Sequence, residues 1–450
     1  MNSKLLQFYR EIEKNIDICN DPKYGALVHP NDLENYPIHN WYRFKEGYSP
    51  RLLEEVLKYS KLEKGIKLLD PFCGSGTTLL SSVLELDIDL DLGVGIEVNP
   101  YIHFMAKTKL SFSRLNTEIA INFLESLKSH NFNLDLTSFS IPELSTIKKA
   151  YSSSTLAQLL SLKFLIKERF HESSYEHDFF MLAYSSLLEE VSCMKKSGRA
   201  LKIVREAKDY DVKELFINKT KQMIKDTISN FNKSSKLSNL SLINQDVRTQ
   251  PISDENKFNL VVFSPPYLNH FDYTEVYKIE LWMLDFVSNY DDFRSLRFKT
   301  LRSHPSVKFE PTTYYLEKDS TIIRELISYI DTEVSPEPFF KSIKGYIDDM
   351  YTLFQFLNNI TTPDVTIACI VANSLFGSVN NDNLTPVATD LIIAEIAKNT
   401  GFDVSEVKVA RKMTRRGLSF PYGRESILYF RKRGVSTKNT IYTFQQNLNI

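Results

Sequence analysis

The stretch Ile66–Leu80, IKLLDPFCGSGTTLL, decides how this chain is read. Ile66, Leu68 and Leu69 make a short apolar strand that runs into a glycine turn and then into residues suited to the first turn of a helix. Gly74 and Gly76 permit positive φ and let the backbone approach a ligand where a Cβ would intrude. Ser75, Thr77 and Thr78 suit a helix N-terminus, whose free N–H groups and positive dipole end attract an anionic group. Strand, glycine loop and helix in that order hold a nucleotide-type ligand at the carboxyl end of a parallel strand. A GxG alone fits a plain turn as well. The next apolar stretch, Gly93–Glu97 (GVGIE), ends in an acid 27 residues beyond Asp70, near the spacing of about 20 at which an acid binds ribose hydroxyls. No Lys follows the glycines as in GxxxxGK[ST], so a triphosphate clamp has no support. The expected ligand carries an adenosine and needs no phosphate site.

A second anchor lies far downstream, where Phe258–Tyr267 (FNLVVFSPPY) is an apolar strand that stops at two prolines. DPFCGSGTT followed by SPPY resembles the DNA amino-methyltransferases, which use S-adenosylmethionine (SAM) to methylate cytosine N4 or adenine N6. The likeness runs from about Tyr48 to Arg433 with large interruptions. It implies a class I methyltransferase α/β fold, a Rossmann-like, seven-stranded, mostly parallel sheet with a helical insertion. It also implies a cofactor site made of Asp70, Pro71, Phe72, Cys73, Gly74, Ser75, Gly76, Thr77 and Thr78. Glu97 would take the ribose and Asp246, after a third strand at Leu240–Asp246, the adenine amine, although a simple turn residue fits Asp246 too. Ser49 and Pro50 open YSPRLLEEVLKY, a segment that in the family closes over the methionine end, and an ordinary packing helix is the plainer reading.

The catalytic loop follows from the same likeness. An exocyclic amine is a poor nucleophile because its lone pair is delocalised into the ring. Ser264 and the carbonyl of Pro265 would accept its two hydrogens, Pro265 and Pro266 would present no competing donor, and Tyr267 would offer a flat face for the base. The base must leave the duplex to react. Ring-carbon methylation fits poorly, since it needs a Cys nucleophile and none lies next to SPPY. Ser at the first position favours cytosine N4, with adenine N6 as the alternative. An RNA or protein-amide methyltransferase, or an inactive protein that binds DNA and SAM, are the competing classes.

Composition sets bounds. The 450 residues suffice for two or three domains, and the charged and apolar fractions are those of a globular chain. Cys19, Cys73, Cys193 and Cys369 show no CxxC spacing, so neither a disulfide framework nor a metal site is expected. No apolar run reaches about 18 residues, which points to a cytoplasmic protein without a membrane segment. The net charge of −1 does not mark a nucleic-acid binder, but the charge is uneven. Basic clusters at Met194–Lys208, Arg294–Lys308 and Ser405–Arg433 are either solvated faces or contacts to double-stranded DNA phosphates. Lys195, Lys196, Arg199, Arg294, Arg297, Arg302, Arg411, Arg415 and Arg416 are the candidates. A restriction-modification or host-marking role follows from the family likeness, with any restriction endonuclease on a separate chain.

In order, the chain divides into an N-terminal extension (1–45, helical over Leu5–Ile18), a first catalytic part (46–111) and a helical insertion (112–235). A second catalytic part (236–435) carries a basic insertion near 285–340, and a tail (436–450) ends the chain. Helices are expected at Asn99–Lys109, Thr117–Ser129, Ser154–Arg169, His177–Met194, Val212–Asn230, Tyr346–Asn359 and Asp390–Asn399. A further strand is expected at Val365–Ala372, and Val404–Ala410 with Ser426–Arg431 reads as a closing antiparallel pair. The connection MTRRGLSFPYGRE would hang over the DNA side. In the aromatic segment after SPPY, Asn269, Asp272, Tyr273 and Glu280 resemble one subgroup of the family, and Tyr273 and Trp282 are expected in the core.

Overall fold

Eight strands form the main sheet of the computed structural model: β1 (Ile18–Asn20), β2 (Ile66–Asp70), β3 (Leu90–Ile96), then β6 (Leu240–Ile243), β7 (Phe258–Phe263), β8 (Thr361–Ala372), β11 (Phe402–Arg415) and β12 (Leu418–Lys432). Two small hairpins complete the set, β4 (Met194–Ser197) with β5 (Ala200–Ile203), and β9 (Ser374–Ser378) with β10 (Asn383–Val387). The structure describes residues 3–434 except 87, 133, 198–199, 254, 256, 270, 306–320, 332–336, 379–382 and 416.

The strand order is β1-β11-β12-β8-β7-β2-β3-β6. From β6 to β8 all neighbours are parallel, and β12 alone runs antiparallel to both of its neighbours. This is the Rossmann-like, mostly parallel α/β architecture expected, with an eighth strand added. Ile18–Asn20 pairs in parallel with Val407–Val409 on the edge, so the N-terminal helix stops at Glu13 instead of reaching Ile18.

The chain leaves β2 toward β3 and β6 on one side, then returns to place β7 on the other side of β2. The carboxyl ends of β2 and β7 therefore flank a topological switch point, where connecting loops diverge and leave a crevice. Leu69 pairs with both Val261 and Val94, which puts the glycine loop and the SPPY loop side by side.

Both central strands are buried on both faces, as parallel strands covered by helices must be. Their side chains alternate between two cores. Leu68, Leu260 and Val262 join the core under the helices Leu52–Ser60, Thr77–Leu84 and Pro100–Leu110. Leu69, Val261 and Phe263 join the core under the helices Glu337–Ile360 and Thr389–Asn399. The helices Thr117–Ser129, Ser153–Arg169, Tyr175–Leu188 and Val212–Asn230 share the first of these cores with the sheet.

Three local readings are corrected. The helix expected at His177–Met194 is Tyr175–Leu188, and the basic run that follows pairs as the β4–β5 hairpin. Leu52–Ser60 begins three residues after Ser49, whose hydroxyl receives the Arg51 N–H in a turn that precedes the helix. The segment after Ala410 is a ribbon, because β11 and β12 continue pairing to Arg415 and Leu418. Register breaks near Lys412 let residues 420–423 bulge. The tail 436–450 and Ser306–Lys308 lie outside the described residues.

Candidate functional site

A cleft opens at the switch point, between the carboxyl ends of β2, β3, β6 and β7. The β2 loop contributes Pro71, Phe72 and Gly74, the β3 end contributes Glu97, the β6 end Asp246, and the β7 loop Ser264 and Pro266. The cleft thus gathers motifs that lie almost two hundred residues apart.

The glycine loop needs its glycines. Gly74 has φ 52° and a Cβ there would stand 3.1 Å from the Phe44 ring; Gly76 has φ 82° and faces the Ala106 methyl at 3.4 Å. The loop is tied to its neighbours by Cys73 N–H donating to the Ile96 carbonyl at 2.9 Å. Asp70, Cys73, Ser75, Gly76, Thr77 and Thr78 do not line the cleft; they are buried behind it. Asp70 accepts from Thr78 Oγ1 at 2.5 Å, Phe72 N–H at 3.1 Å and Tyr48 OH at 3.3 Å, so it braces the loop from beneath. Burial pushes its carboxyl up to about 6, against the pull of those three donors.

Glu97 holds the rim. Its Oε1 accepts the Asn99 N–H at 2.8 Å and its Oε2 the Gly74 N–H at 3.2 Å. Burial raises its pKa to about 7, with the Asn99 and Gly74 N–H groups opposing. Asn99 Nδ2, also at the cleft, is a buried donor without a hydrogen-bond partner in the structure. A close-approach loop, an acid at the end of β3 and an unpaired donor fit an adenosine-bearing ligand. Asp246 lines the cleft, but Arg248 holds both of its oxygens and bridges on to Asp349.

Ser49 and Pro50 are not brought to this cleft. Ser49 is buried and donates to Asp32 Oδ2 at 2.6 Å. The residues just before them take that place. Trp41 anchors the strap 22–48 by an edge contact with Phe179 and an N–H donated to Asp226, and the strap delivers Phe44 and Glu46 to the cleft. Lys299–Leu301, Ser303 and His304 form another wall. The aromatic run NWYRF before Glu46 was the one available signal; nothing in the sequence distinguished 299–304 from a basic surface stretch.

A second cleft adjoins the first. It is lined by Tyr267, Asn269, Phe271, Lys196, Arg411 and Glu425 among others, and it shares Ser264, Glu46 and Tyr273 with the first. Tyr267 OH donates to Glu425 Oε1 at 2.7 Å, and Arg411 pairs with the other oxygen of Glu425. Pro265 is buried beneath the loop. Tyr273 is therefore a wall of both clefts and not a core residue, whereas Trp282 is fully buried.

The basic candidates divide. Arg294 is exposed beside the Phe298 ring, and Arg411 is 40% exposed. Lys195 is half-buried, its Nζ donating to the Glu189 carbonyl. Three of the expected phosphate contacts are paired with carboxylates of the chain itself. Lys196 is 4% exposed and pairs with buried Glu280 while lying over the Tyr277 ring. Arg297 pairs with Asp272 and Glu275, and Arg302 with Asp348 and Asp349. Arg199 and Arg416, and the side chain of Arg415, lie outside the described residues. Among the described residues no cluster of His, Cys, Asp or Glu could hold a metal ion, and no helix is long and apolar enough to cross a membrane. The four cysteines are unbridged.

No family model matches the chain. It is 25% identical over 443 residues to the Type II methyltransferase M.BsoBI of Geobacillus stearothermophilus, covering 87% of this chain and 84% of that one. It is 23% identical over 408 residues to the Type II methyltransferase M.AvaI of Nostoc, covering 83% and 80%. Among solved structures, the rRNA methyltransferase aviRa of Streptomyces viridochromogenes shares 11% identity over 85% of this chain and 84% of its own, with a TM-score of 0.28, too slight a likeness to carry an argument.

Proposed function

We propose that this chain is a SAM-dependent DNA methyltransferase of a restriction-modification system, transferring a methyl group to the exocyclic amine of a flipped-out base. Cytosine N4 is the favoured target and adenine N6 the alternative. The observation that carries the reading is the pair of adjoining clefts that share Ser264: one is built from the glycine loop and Glu97, the other from Tyr267. Near-full-length similarity to two Type II methyltransferases supports the same class.

In this reading Gly74, Phe72 and Glu97 hold the cofactor, which supplies an electrophilic methyl group. Asp246 shapes the adenine end, and Asp70 with Thr78 keeps the loop in place. Ser264 and the Pro265 carbonyl accept the amine hydrogens, and Tyr267 stacks on the base. Most of the acceleration comes from orientation, for which about 7–11 kcal/mol is available. Flipping costs a few kcal/mol, offset by stacking on Tyr267 and by phosphate contacts from Arg294 and the β11–β12 ribbon. Residues 112–235 are proposed to read the target sequence, since the β4–β5 hairpin reaches the rim of the base cleft. Incubation with methyl-labelled SAM and DNA, RNA or protein tests the class: label in DNA alone is expected, and label only in RNA or protein would overturn it.

A further inference from the structure

We propose that Glu46 is a catalytic residue, the acceptor for the proton that the target amine releases. The inference rests on the amine-methylation reading above and adds a group that this reading does not supply. Methylating an amine leaves one proton too many on nitrogen. The new C–N bond forms from the nitrogen lone pair as the C–S bond of the sulfonium donor breaks, its electron pair returning to sulfur. An N–H bond then breaks, its pair stays on nitrogen, and the proton needs a base within reach.

Ser264 is a hydroxyl and the Pro265 carbonyl a weak base, so neither keeps that proton. Among the described residues three side chains line both clefts, Ser264, Tyr273 and Glu46, and of these Glu46 is the carboxylate. Other acids nearby are placed elsewhere. Glu97 and Asp246 line only the first cleft, and Glu425 lines only the second, where Arg411 and Tyr267 hold it. Glu46 is half-buried where the clefts meet, and its Oε2 accepts the Tyr277 hydroxyl at 2.5 Å. That bond fixes the carboxylate on the strap, which Trp41 anchors to Asp226. Burial raises its proton affinity, opposed by the Tyr277 hydrogen bond and by Lys196 and Lys45. A raised affinity suits a proton acceptor working near neutral pH. The titratable and charged groups facing it are Tyr277, Tyr273, Lys196 and Lys45.

The test compares wild type with Glu46→Gln and Glu46→Asp on one duplex. Calorimetry measures SAM binding, fluorescence anisotropy measures DNA binding, and single-turnover transfer is followed across pH. Glu46→Gln is expected to keep both affinities within about twofold and to lose about 10²–10⁴-fold in transfer rate. It is also expected to lose the acid limb of the wild-type pH profile, while Glu46→Asp regains part of the rate. A Glu46→Gln protein with unchanged rate and pH profile overturns the proposal, as does one whose only defect is weaker SAM binding, which would make Glu46 a cofactor anchor. Absence of transfer by the wild-type protein overturns the underlying reading and this proposal with it.

Discussion

Replacing Glu97 by Gln tests the cofactor assignment with little change of shape. The carboxylate bridges the Gly74 and Asn99 N–H groups at 3.2 and 2.8 Å, and Gln offers one acceptor oxygen where there were two. A charge-assisted hydrogen bond to the ribose is worth about 1.5–3 kcal/mol, so SAM affinity should fall by roughly one to two decades at about 1.4 kcal/mol each. The pH dependence gives an independent sign. With its pKa raised to about 7, Glu97 is mostly protonated below neutrality, and a ligand that requires the carboxylate must first expel that proton. Wild-type affinity should drop about tenfold per pH unit below 7 and level off above it. In Glu97→Gln the affinity should be weak and flat. Calorimetry at several pH values measures both quantities; a variant that keeps wild-type affinity and wild-type slope would refute the ribose assignment.

Further outcomes follow from the same geometry. Ser264→Ala should keep SAM and DNA binding and lose about 10²–10³ in single-turnover rate, because its hydrogen bond strengthens as the nitrogen becomes tetrahedral. Tyr267→Ala should instead weaken capture of the flipped base by about 1–3 kcal/mol of stacking, read as the fluorescence of a base analogue at the target. Arg294→Ala should reduce the salt slope of DNA binding by about one unit, whereas Arg302→Ala should leave the slope alone and lower the denaturation midpoint. Lys196→Ala leaves Glu280 buried without its cation and should cost about 3–5 kcal/mol of stability in denaturant titrations.

The central strands were legible because burial on both faces writes continuous apolar runs, as in Leu68–Leu69 and Leu260–Phe263. The glycine loop and SPPY were legible because each sits at a strand end, and the sheet order then had to bring them together. The strap was not. Phe44 and Glu46 reach the clefts through Trp41 and Phe179, a long-range contact with no local periodicity. The surroundings of the basic residues were hidden for a related reason: whether Arg302 faces solvent or the carboxylates of Asp348 and Asp349 depends on a packing partner more than forty residues away. The hairpin of Met194–Ser197 with Ala200–Ile203 was not legible, because two four-residue strands carry too short a pattern to be told from a solvated basic stretch.

The central claim is amine methylation of a DNA base, and the most direct measurement is the chemical form of the product. DNA methylated by the purified protein, digested to nucleosides and resolved by mass spectrometry, should contain N4-methylcytosine, absent when Ser264→Ala is used for the same interval. N6-methyladenine would keep the amine chemistry and move the target base. 5-Methylcytosine, or no methylated nucleoside at all, would contradict the account.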